Sequence, residues 1–337
     1  PEISIVCETM GGNEPAYTFS KRALEAGKSV CTSNKELVAN HGAELLRLAR
    51  ENRCNYFFEA SVGGGIPIIR PINDCLTAER IVEVSGILNG TTNYILTKME
   101  QEGMLFEEAL GQAQALGYAE RNPEADVEGY DTCRKIAILT SLVAGKTVDF
   151  HKIHTEGITG IDPTDFAYAK KLDATIKLLA VSRETEDGYQ ISVAPYLLKK
   201  ENALAGVNDV FNAVAVCGNT LGDTMFYGRG AGKLPTASAV VADVVECARH
   251  LQKTVGCLWE EGEAKVADFD SQEGRFFVRV SKKARADVEK VFGAVVPVVL
   301  DSALEEFAFV TESMQEAEFE KCREQIFGFV KKIRIKD

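Results

Sequence analysis

Short apolar runs alternate with amphipathic stretches at the start of the chain. This strand–helix–strand–helix–strand order is typical of a parallel α/β sheet, in which ligands bind beyond the carboxyl ends of the strands. Lys35 and Glu59 occupy positions of that kind. The predicted strands are ISIVC (3–7), KSVCT (28–32) and NYFFEASV (55–62), and the predicted helices are residues 15–26 and 36–51.

The middle of the chain mixes helical and strand periodicity without the regular βα alternation. An apolar stripe at helical spacing predicts a helix over 162–182, and alternation over 189–198 predicts a half-exposed strand that could pair with another subunit. The loop Gly86–Thr92 offers hydroxyls, an amide and free backbone N–H groups at a helix N-terminus, a suitable place for an anionic group. The other predicted elements are helices at 66–78 and 106–116, a strand before Gly86, a strand at 209–217 and a long helix from Pro235.

Residues 260–272 are acidic and contain glycine, a composition that predicts a linker before the last part of the chain. The order βαββαβ then predicts a small ferredoxin-like module of regulatory or structural role. Its predicted strands are 275–281, 294–300, 305–311 and 330–335, and its helices are 284–292 and 315–328.

The stretch Gly117–Lys135 is dense in charged side chains and runs directly into IAILTSLVAG, which carries no charge. A helix that is apolar on every side is normally buried, and Asp131 and Lys135, four residues apart, share one of its faces. Glu120 and Asp126 lie in the loop before it. Taken alone, the pair is either an ordinary surface i,i+4 ion pair or the start of a functional site.

Two glycine-rich segments allow close approach of the backbone to a ligand. Gly63–Gly65 would let carbonyl groups converge beside Glu59, which suits a hard cation with oxygen ligands. The segment from Gly228 to Gly232 is either a ligand-binding loop or a plain flexible one. Neither contains a G-x-G-x-x-G or P-loop sequence.

Composition narrows the classes of function. The chain is 45% hydrophobic and 26% charged, as in ordinary globular proteins. Its formal charge of −12 argues against a nucleic-acid partner. Nine cysteines without a C-x-x-C pair indicate reduced thiols in a cytoplasmic protein, and no uncharged run reaches the 18 or more residues of a membrane span.

Five motifs follow one another along the chain: TSNKE (32–36), EASVGGGIPII (59–69), GILNGTTNYIL (86–96), GYAERNPEADVEGYDTCRK (117–135) and GRGAGKLPTASAVVAD (228–243). In this order they resemble the motifs of the homoserine dehydrogenase family. The terminal module resembles an ACT domain, a small amino-acid-sensing fold, but has Ser281–Ala284 (SKKA) where such domains usually carry a D-x-P-G turn.

The resemblance implies reversible hydride transfer between NADP or NAD and the pair L-homoserine and L-aspartate 4-semialdehyde. It implies that Lys135 is the proton donor, that Lys35 is a second catalytic lysine touching cofactor or substrate, and that Glu120, Asp131 and Asp126 bind the substrate. It further implies cofactor contacts from Asn34, Lys35, Gly117 and Gly232, and a monovalent cation, sodium or potassium, held by Glu59, Val62, Gly64 and Ile66.

The family pattern also sets the expected architecture. The fold class is α/β and α+β: a partial Rossmann-type parallel sheet (1–66 plus a helix at about 233–259), a substrate and dimerisation domain (67–232) and the ACT-like module (272–337). Family members open with a G-x-G-x-x-G loop that is not in this sequence, so we expect an N-terminally truncated chain. We expect a homodimer or homotetramer, with an amino-acid effector at the ACT-like module.

Two alternatives come from other classes of protein. A non-catalytic amino-acid-binding protein would keep the acidic residues and the ACT-like module without the cofactor. An assembly subunit would dimerise through the strands at 189–217 with a decayed site.

Overall fold

The computed structural model describes residues 2–300 and 305–336. Among them, no helix is both long enough and apolar enough to cross a membrane. The α-helices are α1 (Ala16–Glu25), α2 (Lys35–Glu51), α3 (Gly90–Glu102), α4 (Phe106–Ala115), α5 (Glu124–Val127), α6 (Tyr130–Ala144), α7 (Pro163–Lys171), α8 (Lys233–Arg249), α9 (Arg285–Phe292) and α10 (Glu316–Arg323).

The strands fall into one small parallel sheet, one large sheet and two short pairs. They are β1 (Ile5–Glu8), β2 (Ser29–Thr32), β3 (Tyr56–Phe57), β4 (Ile81–Ile87), β5 (Lys146–Thr147), β6 (His154–Thr155), β7 (Ala174–Thr185), β8 (Gly188–Lys199), β9 (Phe211–Gly218), β10 (Gly222–Arg229), β11 (Glu260–Glu263), β12 (Glu273–Gly274), β13 (Phe276–Ser281), β14 (Glu306–Val310), β15 (Met314–Gln315) and β16 (Phe329–Lys336).

The N-terminal unit is the predicted parallel α/β sheet. Strands β1, β2 and β3 pair in that order, all parallel, and α1, α2 and α8 pack on them. The predicted third strand is shorter than expected, because residues 59–61 turn into a 3-10 helix immediately after Phe57 and Phe58. The predicted helix at 66–78 is reduced to a single π-helical turn, Pro71–Cys75.

The predicted helix at 162–182 is wrong beyond its first half. Helix α7 ends at Lys171, Asp173 adopts a positive φ of 50°, and β7 begins at Ala174. The apolar run of β7 fills both faces of the sheet: Ile176 and Leu178 pack in the main core, and Leu179 in the smaller core on the opposite face. A strand buried on both faces has a continuous apolar sequence that also matches helical spacing.

Strand β8 is central and buried, which corrects the half-exposed strand predicted at 189–198. It is flanked by β7 and β16, and every residue from Ile191 to Leu198 is buried. Strand β10, whose residues alternate in burial, was not predicted because its glycines suggested a loop.

The terminal module has the predicted split βαβ topology, with β16 and β14 both antiparallel to β13. The predicted strand at 294–300 is only a bridge between Val298 and Ala308. Strand β16 also pairs in parallel with β8, so the module continues the large sheet. The predicted linker includes β11, which pairs with β5.

Candidate active site

Helix α6 places Asp131 and Lys135 in the interior, which rules out the surface ion pair that the sequence had left open. The helix begins after Gly129, and its residues from Ile136 to Leu142 are all buried. Asp131 is 3% exposed and Lys135 9% exposed. The pair is therefore not a surface ion pair, because solvent does not screen either group.

Lys135 is held by two hydrogen bonds. Its Nζ donates to Asp131 Oδ2 at 2.6 Å and to the Leu88 carbonyl oxygen at 2.8 Å. An ammonium group carries three N–H donors, so one remains for a further acceptor. Since the first two partners lie on the protein side, the third N–H can meet the oxygen of a bound molecule.

Lys35 approaches the same aspartate from the other unit of the fold. It is the first residue of α2, directly beyond the carboxyl end of β2, and its Nζ forms an ion pair with Asp131 Oδ1. The Lys35 side chain is 41% exposed, in contrast to the 4% of Asp131. The ion pair thus joins the parallel sheet to the buried helix and leaves part of the lysine facing solvent.

Asn89 connects the two aspartates. Its Nδ2 donates to Asp126 Oδ1 at 2.7 Å and to Asp131 Oδ2 at 2.9 Å. The sequence pointed to the Gly86–Thr92 loop and its amide as a place for an anionic group, but not to a bridge between the two aspartates. The available signal was its position as N-cap of α3, where its Oδ1 accepts from the Thr92 N–H.

The two aspartates differ in electrostatics. Burial opposes ionisation of Asp131, but Lys135 and Lys35 outweigh it, so the pKa of Asp131 lies well below its usual range. Burial raises the pKa of Asp126, although the hydrogen bond from Asn89 acts in the opposite direction. The cluster therefore holds one firmly ionised carboxylate and one that ionises less readily.

Four of the five predicted catalytic and substrate residues come together in this cluster: Lys35, Asp126, Asp131 and Lys135. The fifth, Glu120, is exposed, and its carboxylate makes no hydrogen bond or ion pair with the described residues. Only its backbone carbonyl is engaged, by Gln114 Nε2 at 3.1 Å.

Of the predicted cofactor residues, Lys35 belongs to the cluster and Asn34 directly precedes it. The Asn34 amide accepts from the Leu37 N–H and donates to the Gly12 carbonyl, which fixes the chain before Lys35. Gly117 has φ +74°, and a Cβ placed there would meet no atom within 4 Å. Gly232 has φ +114° and only the Pro235 ring within that distance. Both glycines therefore leave their backbone accessible to a flat ring, as the predicted nicotinamide contacts require.

The predicted cation loop has two consecutive glycines in the left-handed region, Gly63 at φ +73° and Gly64 at +57°. The Glu59 carboxylate accepts the backbone N–H groups of Ile68, Ile69 and Arg70, so it is not free for a cation. A cation in this loop would depend on carbonyl oxygens. In the described residues, no group of three or more His, Cys, Asp or Glu side chains could hold a metal.

Asp243 supports this loop and was missed from the sequence. Its Oδ2 accepts the Glu59 N–H at 2.9 Å, and Arg70 Nη2 lies 3.5 Å from Oδ1. Burial raises the pKa of Asp243 to about 7. The interaction joins α8 to the turn that follows β3.

Comparison with known proteins addresses the family directly. Residues 67–245 match the model of the homoserine dehydrogenase family, and residues 1–59 match the homoserine dehydrogenase NAD-binding domain. The chain belongs to the homoserine dehydrogenase family. It is accordingly an oxidoreductase of amino-acid biosynthesis that uses a nicotinamide nucleotide, and the non-catalytic alternative is not favoured.

Relatives support this assignment over most of the chain. The homoserine dehydrogenase of Bacillus subtilis is 38% identical over 338 residues, which cover 95% of this chain and 77% of that protein. The homoserine dehydrogenase of Pseudomonas aeruginosa is 47% identical over 251 residues, covering 74% of this chain and 58% of that protein.

Solved homoserine dehydrogenase structures share the fold. The Thiobacillus denitrificans enzyme superimposes with a TM-score of 0.92 at 34% identity, covering all of this chain and 83% of that one. A hyperthermophilic archaeal homoserine dehydrogenase in complex with NADPH superimposes with a TM-score of 0.66 at 32% identity, covering 76% of this chain and 73% of that one. The predicted family and mixed α/β fold class are thereby confirmed.

Proposed function

We propose that this homoserine dehydrogenase interconverts L-homoserine and L-aspartate 4-semialdehyde at the Lys35–Asp126–Asp131–Lys135 cluster. The single observation that carries the proposal is the buried Asp131–Lys135 pair with one N–H of Lys135 left for a ligand. The bound nicotinamide supplies or accepts the hydride. The protein supplies the proton and the charged groups that orient the substrate.

Lys135 is the proton donor in the direction of aldehyde reduction. Negative charge grows on the aldehyde oxygen as the carbon is reduced, and a preorganised ammonium in a dry site stabilises that charge strongly. Lys135 then gives its free proton to this oxygen, forming the hydroxyl of homoserine. In the reverse direction, neutral Lys135 takes the hydroxyl proton. Lys35 is the second lysine of the site and contacts cofactor or substrate.

The carboxylates bind the substrate. Homoserine carries an ammonium group, which needs an anionic partner, and Asp131 and Asp126 present two carboxylates beside Lys135. Glu120 contributes a third from the exposed loop. Because the Glu120 carboxylate makes no hydrogen bond or ion pair with the described residues, it is available to bind the ligand without breaking an existing ion pair.

Asn34, Lys35, Gly117 and Gly232 form the nicotinamide side of the site, with NADP or NAD as the cofactor. A monovalent cation, sodium or potassium, would sit among the carbonyl groups of Glu59, Val62, Gly64 and Ile66, where it would brace the loop without entering the redox step. The support for this is the close packing of the loop: a Cβ on Gly64 would lie 2.3 Å from the Gly230 carbonyl oxygen. Thermal unfolding in sodium, potassium and tetramethylammonium chloride at equal ionic strength tests it, because only the alkali ions should raise the melting temperature.

We also propose a three-part division of the chain at 1–66 with 233–259, 67–232 and 272–337. Because β16 pairs with β8, the last two parts share a sheet. A homodimer or homotetramer, and an amino-acid effector at the ACT-like module, complete the description. Nine free cysteines suit a cytoplasmic enzyme.

Homoserine-dependent reduction of NADP or NAD, followed at 340 nm, tests the activity. We expect turnover with L-homoserine and none with L-threonine, because the secondary hydroxyl of threonine is one carbon closer to the amino group. Calorimetry that shows homoserine binding without any cofactor binding or turnover would refute the proposed function.

A further inference from the structure

Asn89 lies between the Asp126 and Asp131 carboxylates and bonds to both. It is 5% exposed and directly follows Leu88, whose carbonyl oxygen accepts a hydrogen bond from Lys135. One side-chain amide thus meets both aspartates, while the residue before it meets the catalytic lysine. The β4–α3 turn therefore sets the relative positions of three functional groups.

We propose that Asn89 is a positioning residue that holds the Asp126 and Asp131 carboxylates at a fixed separation beside Lys135. The inference rests on the proposed function, because these are the groups assigned there to the substrate and the proton.

An amide is the suitable group for this position. Asn89 Nδ2 donates one hydrogen bond to each aspartate, at 2.7 and 2.9 Å, while Oδ1 accepts from the Thr92 N–H at 2.9 Å. A carboxamide has two N–H donors and a carbonyl acceptor in one plane. The N-cap bond to α3 orients that plane, so both N–H groups point to the carboxylates without any further adjustment.

The charges around Asp126 make this bridge consequential. Asp126 faces the like charge of Asp131 and the opposite charges of Lys135 and Lys35, and Asn89 is the neutral donor among them. A hydrogen bond donated to a carboxylate favours its ionised form. Removal of the donor should therefore raise the pKa of Asp126 further and let the two carboxylates move apart.

Substitutions that preserve the N-cap separate positioning from folding. Asn89→Ser keeps a good N-cap for α3 but is too short to donate to both aspartates, and Asn89→Asp keeps the cap but replaces the donor with a negative charge. Asn202→Ser is the matched control, because Asn202 caps a remote 3-10 helix by accepting from the Leu204 N–H at 3.0 Å. All three proteins should fold, as checked by circular dichroism and thermal unfolding.

We expect kcat/KM for homoserine to fall about tenfold in Asn89→Ser and about a hundredfold in Asn89→Asp, with Asn202→Ser unchanged. The acidic limb of the pH–rate profile should move to higher pH in the same order, since protonation of Asp126 becomes easier at each step. A purely structural role for Asn89 would lower activity without moving that limb.

A second measurement does not require turnover. Carbon-13 NMR titration of labelled aspartate carboxyls, with the Asp126 signal identified by Asp126→Asn, gives its pKa in wild type and in Asn89→Ser. A higher pKa in the variant supports the proposal, and an unchanged pKa and pH limb would overturn it. Absence of turnover in the wild-type protein would instead refute the proposed function, and the NMR titration would still decide the role of Asn89.

Discussion

Replacement of Lys135 by methionine removes the ammonium group but keeps a side chain of similar length and flexibility. In wild type, Lys135 Nζ lies 2.6 Å from Asp131 Oδ2, and both groups are buried. The variant leaves Asp131 with Lys35 and Asn89 as its polar partners. Two consequences follow, one for turnover and one for stability.

The loss of turnover should be large. A positioned general acid contributes roughly a hundredfold to ten-thousandfold to rate, so we expect kcat to fall about a thousandfold, equivalent to about 4 kcal/mol. The loss of stability should be smaller than for a fully isolated charge. Breaking a buried ion pair costs about 3–5 kcal/mol, and because Lys35 still faces Asp131, we expect about 3 kcal/mol.

Two assays separate these effects. Homoserine oxidation at 340 nm gives kcat and KM, and urea unfolding followed by circular dichroism gives the free energy of unfolding. Lys98→Met is the matched control, since Lys98 also forms an i,i+4 pair at 2.6 Å, with Glu102, which is 47% exposed. It should change the free energy of unfolding by less than about 1 kcal/mol and leave kcat intact.

The result that refutes the reasoning is a folded Lys135→Met protein whose kcat falls less than about tenfold. Lys135 would then not be the proton donor. If a stabilising osmolyte restored kcat in the variant, the loss of activity would come from unfolding, and Lys135 would have a role in stability only.

Three further predictions concern other parts of the molecule. Glu120→Gln should raise KM for homoserine several-fold with kcat little changed, because the exposed Glu120 carboxylate has no partner among the described residues; an unchanged KM contradicts its role. Arg279→Met should lower the free energy of unfolding in urea by about 3 kcal/mol, because this 6%-exposed side chain joins Asp165 and Glu306. Arg285→Met removes an exposed ion pair and should lower it by less than about 1 kcal/mol. Equal losses in the two variants would exclude a special role for the buried network. Acid should weaken the same region. Although burial raises the pKa of Asp162, Lys331 and Arg279 lower it to about 2, below the pKa of an aspartate in the unfolded chain. The stabilisation from ionised Asp162 is therefore present above about pH 4 and is lost as the pH falls toward 2. Melting temperature measured from pH 6 to pH 2 should fall less steeply in Asp162→Asn than in wild type, and parallel curves would contradict this.

Local periodicity was sufficient for the N-terminal unit and for the buried helix. The alternation of apolar runs with amphipathic stretches specified that β1, β2 and β3 form a parallel sheet, because each element is recognisable within its own residues. The four-residue spacing of Asp131 and Lys135 placed them on one face of α6 for the same reason. Where periodicity is ambiguous it failed, as at β7, whose apolar sequence reflects burial on both faces of a sheet.

The completion of the site depended on contacts between distant parts of the chain. Leu88 is 47 residues from Lys135, and Asn89 is 42 residues from Asp131. No local pattern encodes which backbone carbonyl accepts a hydrogen bond from Lys135 or which side-chain amide bridges the two aspartates. The sequence by itself determined that Asp131 and Lys135 share one face of a helix that continues into the core, because helix periodicity and hydrophobicity are local. Only the tertiary structure decided that Lys35, Asn89 and Asp126 meet them there and that β16 extends the sheet at β8, because those contacts arise when separate elements pack around a shared core.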